Sequence, residues 1–437
     1  MSITPKICFV TLGCAKNEVD SAAMKKRAQS AGFALADDPG VADAVVVNTC
    51  SFIQSATEES LEAIFDIAGM ENFAHGEAKL IVAGCMPARY GNDLADELPE
   101  VCGFVPCSKE DDIATVLAGL FPAFEPCARQ NSSESTVPIC GDQDAPVSVY
   151  VKISDGCDRF CSYCTIPYIR GRYHSYTREE ITQCVDEHIA QGVREIVLIA
   201  QDTGRWGDDL ATPSTLADLM AYLAELHSDT WFRVMYVQPE GISDELLGCI
   251  ASHENICSYL DMPLQHVDGA LLKAMNRTGS REYFETLIAH IRQSVPGVTL
   301  RTTLIAGFPG ESDQAFEELC DFIEDADFDY VGVFPYSCEE GTRAAKMSGQ
   351  IDEETKIQRA QALRDTADAT SVVRVSNRIG DQMDVLVLGT EEDDQIYGRT
   401  QCQAPDVDGV VFLENGVPGE IKQVTIVDTL LYEMEGE

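Results

Sequence analysis

Cys157-Asp158-Arg159-Phe160-Cys161-Ser162-Tyr163-Cys164 sets three thiols at C-x3-C-x2-C spacing on one short stretch. Thiolates are soft ligands, and three of them on a loop suit three corners of a cubane iron–sulfur cluster. The fourth iron would then stand open to a small molecule and to electron transfer. A structural zinc site instead closes its shell with four protein ligands. No fourth Cys or His follows at finger spacing, His174 and Cys184 coming nearest. The loop therefore reads as an open-cornered cluster or, on the bland reading, as a partial zinc knuckle or a chance grouping in a cysteine-rich chain.

Outward from the loop the chain alternates short apolar runs with helical patterns. A strand over 147–154 delivers the loop, and five more runs follow at 196–199, 232–237, 258–261, 299–305 and 330–334. Helical patterns at 178–191, 216–227, 243–251, after Tyr283 and at 312–326 separate them. Six strands fall short of the eight that close a full barrel, so the pattern predicts a partial parallel barrel with its chemistry at the carboxyl strand ends. Several ends carry polar or glycine-rich groups: Gln201 after the second strand, Gln265 and His266 after the fourth, Gly307 after the fifth. Glycine lets a backbone approach a ligand, and Gln or His holds polar groups; ordinary turn chemistry explains each one equally well. Arg301 lies along the fifth strand, where it meets either a ligand carboxylate or an ion-pair partner. His266 is read as fixing loop or ligand geometry rather than carrying a proton.

Before the loop, runs at 7–10, 44–47 and 80–83 alternate with helices near 17–30, 55–67 and 88–98, the mark of an open parallel α/β sheet. Cys14, Cys50 and Cys85 each follow one of these three runs, 36 and 35 residues apart. In a parallel sheet those turns share the carboxyl edge, where ligand sites form. Three converging thiols at helix N-termini make a second cluster plausible, with buried structural cysteines as the alternative. Cys8, within a strand, reads as core. Residues 126–142 read as a linker whose Cys127 and Cys140 are bystanders.

After a long polar helix over 352–375, short strands at 383–388, 396–400, 409–413 and 421–427 predict a small antiparallel β-barrel. The organisation expected is 1–125, a linker at 126–142, 143–375 and 376–437. The fold class is α/β, with the N-terminal open sheet, the central partial (β/α)6 barrel and the C-terminal barrel in series.

Charge narrows the partners. The chain has 31 basic and 73 acidic residues, a net charge of −42. Such a surface repels phosphate backbones and steers basic partners, or simply maintains solubility in a salty cytoplasm. Residues 376–437 hold three basic residues, Arg378, Arg399 and Lys422, against fourteen acidic ones. That balance favours a basic protein over nucleic acid. The chain has no apolar run long enough for a membrane span and no secretory signal pattern. Its 17 cysteines suit ligands and buried thiols in a reducing cytoplasm.

The 157–164 stretch, with aromatic Tyr163 before the third cysteine, resembles the signature of the radical S-adenosylmethionine (SAM) superfamily. The resemblance implies a 4Fe-4S cluster on Cys157, Cys161 and Cys164, SAM bound at its open iron, and a pocket whose candidates are Tyr163, Gln201, Gln265, His266, Arg301 and Gly307. Residues 11–17 (TLGCAKN) with 19–21, 48–53 (NTCSFI) and 83–85 (AGC) are similar to the three cysteine motifs of the methylthiotransferase family. This implies an auxiliary 4Fe-4S cluster on Cys14, Cys50 and Cys85, and a C-terminal TRAM domain. The second motif is similar to the branch that adds a methylthio group to the β-carbon of an aspartate in small-subunit ribosomal protein S-twelve. The tRNA-modifying branch tends to carry a basic residue after its NTC triplet. Ala15 stands where proline is usual and Ala22 where glutamate is common; neither is a ligand. Also implied is a low-potential electron donor such as flavodoxin or ferredoxin. The competing readings are a tRNA methylthiotransferase and a non-catalytic metal-binding scaffold.

Overall fold

Val45, Val46 and Val47 sit fully buried at the centre of a five-stranded parallel sheet in the computed structural model, which describes residues 4–124, 147–391 and 394–437. The linker, Cys127 and Cys140 lie outside the described residues. The chain forms two compact units, one of Met1–Asp144, Tyr150–Arg159 and Cys164–Cys184, the other of Ala145–Val149, Phe160–Tyr163 and Val185–Glu437.

In the first unit the strands are β1 (Lys6–Thr11), β2 (Ala34–Ala36), β3 (Ala44–Thr49), β4 (Lys79–Gly84) and β5 (Val101–Pro106), in the order β2-β1-β3-β4-β5. Every residue of β3 is buried because helices cover both faces. Ile7, Val46 and Ile81 pack with Met24 and Leu117 on one face; Cys8, Val45, Val47 and Val82 pack with Ile64 and Met86 on the other. Each fully buried valine contributes about 1.5–3 kcal/mol. Strand order reverses between β1 and β3, the switch point where open sheets bind ligands. The helix expected over 88–98 is two pieces, Cys85–Tyr90 and Asp93–Glu97, separated at Gly91, whose φ is +59°. Next come β6 (Ser148–Lys152) and an antiparallel pair, β7 (Ser154–Asp155) with β8 (His174–Ser175), at the base of the cysteine loop. Gly156 has φ +73°, and a Cβ there would lie 2.2 Å from the Arg172 carbonyl oxygen.

The second unit carries β9 (Glu195–Ile199), β10 (Trp231–Val234), β11 (Tyr259–Asp261), β12 (Thr299–Ala306) and β13 (Tyr330–Pro335). The amides of Arg194 and Glu195 both donate to the Val147 carbonyl just before β6. β9 pairs with β10, β11 with β12, and β12 with β13, all parallel, with one bridge between Phe232 and Ile256 joining the two sets. The alternation predicted from sequence is therefore present, strand for strand. Asp352 caps the long Glu353–Ser376 helix by accepting from the Thr355 amide. That helix buries Lys356, Ala360, Leu363, Ala367, Ser371 and Val375 on one stripe.

The chain ends in a closed barrel of β14 (Gln382–Thr390), β15 (Ile396–Thr400), β16 (Val411–Leu413), β17 (Ile421–Leu430) and β18 (Glu433–Gly436), in the order β14-β15-β16-β18-β17. It is not purely antiparallel: β16 and β18 run parallel. Five strands cannot alternate direction all the way round, so one ladder must be parallel.

Buried ion pairs hold this barrel to the strands before it. Glu195 accepts from Arg233 Nε at 2.9 Å, from Ser148 Oγ at 2.9 Å and from Arg399 Nη2. Arg233 also donates to the Gln401 carbonyl at 2.8 Å and the Thr400 carbonyl at 3.3 Å. Asp408 accepts from the Tyr259 hydroxyl and from Arg301 Nε at 3.2 Å. Arg378 donates to Asp329 at 2.9 Å.

Candidate metal centres

The turns after β1, β3 and β4 meet on the carboxyl edge of the first unit's sheet. Gly13 has φ +94°, and a Cβ on it would lie 2.5 Å from Cys50 Cβ and 3.0 Å from Cys50 Sγ. Only glycine therefore lets the Cys14 turn approach Cys50. Asn17 ties the three turns. Its Nδ2 donates to the Leu12 carbonyl at 2.8 Å and the Thr49 carbonyl at 3.0 Å, and the Cys85 thiol donates to its Oδ1 at 3.8 Å. Thr49 Oγ1 donates to the Ala83 carbonyl at 2.6 Å, joining β3 to β4 beside the same edge.

Cys14 is exposed; Cys50 and Cys85 are buried. Burial pushes the Cys50 and Cys85 thiols up despite the helix N-termini near them, with the Arg170 cation working against that rise at both. As side chains stand, no three His, Cys, Asp or Glu among the described residues are gathered into an ion site. The turns are gathered, and the donor set is three soft sulfurs, which fits an iron–sulfur group.

Cys107 directly follows β5 on the same sheet edge, and its thiol donates to the Ile169 carbonyl at 3.2 Å. Burial raises it to about 12, with Arg170 opposing. Sequence reading passes over this residue because β5, with a glycine and two end prolines in reach, carries little strand signal.

A buried charge cluster lies beside Cys85. Lys152 Nζ reaches Asp20 Oδ1 at 2.5 Å and Asp155 Oδ2 at 2.7 Å. Arg170 Nη2 donates to Asn17 Oδ1 and Asp20 Oδ2, both at 2.8 Å, and to Cys85 Sγ at 3.9 Å, while Nη1 reaches Asp155 at 3.2 Å. Burial drives Asp155 up, but Lys152 and Arg170 overcome it and hold the carboxyl below its usual range. Burial and the nearby Asp20 push Glu110 well up. No sequence signal marks this cluster, whose members come from distant segments.

Of the three cysteines in the 157–164 stretch, Cys157 and Cys164 lie in the first unit. The Cys157 amide donates to the Gly171 carbonyl at 3.2 Å, and Cys164 Sγ accepts from the Ile166 amide at 3.4 Å. In the second unit, Arg277 donates to the Pro263 carbonyl and is hydrogen-bonded to the Cys161 side chain, with Tyr163 nearby. Arg277 is a further residue that sequence reading missed. The Ser162 amide donates to the Met275 carbonyl at 2.9 Å, fixing this part of the loop.

The pocket candidates separate by height in the second unit. Along β12, half-buried Arg301, Thr303 and Ile305 alternate with buried Leu300, Thr302 and Leu304, so the former set faces the inside of the curved sheet. Arg301, near the strand's start, is held by Asp408 and by Asp261 at 3.4 Å. At the carboxyl ends, Gln265, His266 and Gly307 come together. Gln265 takes φ +72° and bridges β12 through the Thr303 carbonyl and the Ile305 amide. His266 is fully buried; its Nδ1 accepts from the Val267 and Asp268 amides at 2.9 and 3.0 Å. The other ring nitrogen, Nε2, is a buried atom with no hydrogen bond, 3.5 Å from Glu311 Oε2, which accepts from the Gly307 amide at 2.9 Å. Gln201 Oε1, after β9, and Gln238 Oε1, after β10, are buried atoms with no hydrogen bond, an arrangement that fits a polar ligand.

Three family models match in chain order: uncharacterized protein family UPF0004 over residues 6–105, the radical SAM superfamily over 151–323 and the TRAM domain over 379–437. The ribosomal protein uS12 methylthiotransferase RimO of Natranaerobius thermophilus is 38% identical over 441 residues, covering 99% of this chain and 98% of that one. The protein of the same name from Geotalea uraniireducens is 39% identical over 447 residues, covering 100% and 99%. Among solved structures, the radical SAM methyltransferase TsrM from Kitasatospora setae, with cobalamin and a [4Fe-4S] cluster bound, aligns with TM-score 0.54 at 15% identity over 76% of this chain and 75% of that one. The cobalamin-dependent radical enzyme OxsB aligns with TM-score 0.51 at 12% identity over 83% and 56%. With the three domains in order and near-complete relatives at this identity, the chain belongs to the RimO family of radical SAM methylthiotransferases, enzymes that use SAM and a 4Fe-4S cluster.

Proposed function

We propose that this chain adds a methylthio group to the β-carbon of an aspartate in ribosomal protein uS12, and that it does so with two 4Fe-4S clusters. Cys157, Cys161 and Cys164 would hold the first, and Cys14, Cys50 and Cys85 the second. The observation that carries the second is the meeting of the three cysteine turns through Gly13 and Asn17. When bound, the first cluster with SAM would supply a radical strong enough to take hydrogen from an unactivated carbon, the second would supply sulfur, and a second SAM the methyl group.

The chain's own residues do the holding. Gln201 and Gln238 offer unused carbonyl oxygens to SAM, and His266 with Glu311 keeps the Gly307 turn in shape. Arg277 steadies Cys161. Arg301 is committed to the barrel floor by Asp261 and Asp408, a scaffold role rather than SAM contact.

Substrate choice rests on charge. Of the TRAM domain's three basic residues, Arg378 and Arg399 turn inward onto Asp329 and Glu195, and Lys422 bonds Asn415 at the surface. Asp381, Asp384, Glu414 and Asp428 are exposed. Such a surface favours a basic ribosomal protein over tRNA. In this reading residues 1–125, 143–375 and 376–437 divide the work among sulfur supply, radical generation and recognition. A flavodoxin or ferredoxin would supply electrons. No described helix is long and apolar enough to cross a membrane, and a reducing cytoplasm suits the thiols.

Mass spectrometry of uS12 from cells with and without this gene tests the reading. A methylthio group on the aspartate, present only with the gene, supports it. Unmodified uS12, together with tight, salt-sensitive tRNA binding in an electrophoretic shift, would move the substrate to tRNA.

A further inference from the structure

Arg170 is a buried group in contact with Cys85 that the reaction outlined above does not use. Its side chain is 3% exposed, and one nitrogen, Nη2, touches Asn17 Oδ1, Asp20 Oδ2 and Cys85 Sγ together. Its other terminal nitrogen is spent on Asp155. Asn17 in turn holds the Cys14 and Cys50 turns, so the guanidinium fork is the rigid piece against which the Cys85 sulfur is set.

The charges paired around it are two of each sign, with Glu110 beside them pushed well up by burial and by Asp20. Asp20 and Asp155 carry two negative charges, Lys152 and Arg170 two positive ones, and all four are buried or nearly so. Little water is present to screen a change of one unit, and Cys85 is in direct contact with the group that would be changed. An N–H donated to a cluster sulfur and a nearby positive charge both favour the electron-rich state of an iron–sulfur group.

We propose that Arg170 is a positioning residue that sets the reduction potential of the cluster at Cys14, Cys50 and Cys85, through its contact with the Cys85 sulfur and through the charge it contributes against Asp20. The proposal rests on the two-cluster reading. It makes a signed demand. Removing Arg170 leaves an unbalanced negative charge beside the cluster and lowers the potential. Removing the charge of Asp20 leaves an unbalanced positive one and raises it. A residue that only held the fold together would give no such reversal.

The test uses the full chain with Cys157, Cys161 and Cys164 all changed to Ala, reconstituted anaerobically, so that only the second cluster is present. Redox titration followed by electron paramagnetic resonance compares this protein with versions that also carry Arg170→Gln, Arg170→Lys or Asp20→Asn. The expected midpoint moves negative in Arg170→Gln, moves positive in Asp20→Asn, and lies between the parent and Arg170→Gln in Arg170→Lys. If Arg170→Gln fails to fold, Arg170→Lys and Asp20→Asn carry the same opposite-sign comparison. Shifts in one direction only, or none, with iron retained at about four per chain, overturn the proposal alone. A parent protein without iron removes the second cluster and the proposal with it.

Discussion

Glu195→Gln tests how the terminal barrel is fixed to the catalytic strands. Glu195 is 1% exposed and shared by Arg233, itself fully buried, and Arg399. Burial alone would raise its pKa, but the guanidiniums of Arg399 and Arg233, with their hydrogen bonds, lower it to about 2 from an ordinary 4.5. That difference contributes about 3 kcal/mol at neutral pH. A depressed carboxylate stabilises fully above its unfolded pKa and loses that contribution as pH falls through the folded one. The window is therefore from about 4.5 down to about 2, with roughly half the contribution gone by pH 3. Replacing Glu195 by Gln leaves two buried cations without their counter-charge, a change costing about 3–5 kcal/mol. Both tryptophans, Trp206 and Trp231, are buried in this unit, and Trp231 is paired in register with Glu195. Urea unfolding followed by tryptophan fluorescence at neutral pH should therefore show a midpoint lower by about 1 M. The gap to the parent should shrink to about half at pH 3. An unchanged midpoint at neutral pH, or a gap that does not narrow on acidification, would refute the reasoning.

Other outcomes follow from the cluster sites. Gly13→Ala places a Cβ 2.5 Å from Cys50 Cβ at φ +94°, so bound iron should fall by about half with the second unit still folded, read by iron analysis and tryptophan fluorescence. Cys50→Ala should still cleave SAM to deoxyadenosine yet leave uS12 unmodified by mass spectrometry. His266→Ala strips the acceptor from two amides, at about 1–3 kcal/mol each, and should weaken SAM binding by calorimetry. The pH dependence of deoxyadenosine formation should keep its shape, and a lost limb would make His266 a proton carrier instead.

The repeating elements and the cysteines were readable because their signals are local. Short continuous apolar runs mark β3 and β9, alternation marks β12, and the Thr215 capping box marks its helix start. Two cysteine triplets stand out by spacing and by their place after strands. The three-residue β2 and the terminal β18 offered too few residues for a pattern, and β5 hid Cys107. The charge cluster was out of reach for another reason. Lys152 and Asp20 are 132 residues apart, and Arg170 and Asp20 150 apart, and each reads as a surface charge until the fold buries it. Arg301 shows the same limit: its strand was legible, but not that the terminal barrel supplies Asp408 as its partner.

Two cubane sites on one chain are the claim everything else leans on, and iron and sulfide analysis after anaerobic reconstitution weighs it directly. Two cubanes give about eight irons per chain, falling to about four when either Cys14, Cys50 and Cys85 or Cys157, Cys161 and Cys164 are changed to Ala. About four in the parent, unaffected by loss of Cys14, Cys50 and Cys85, would contradict it.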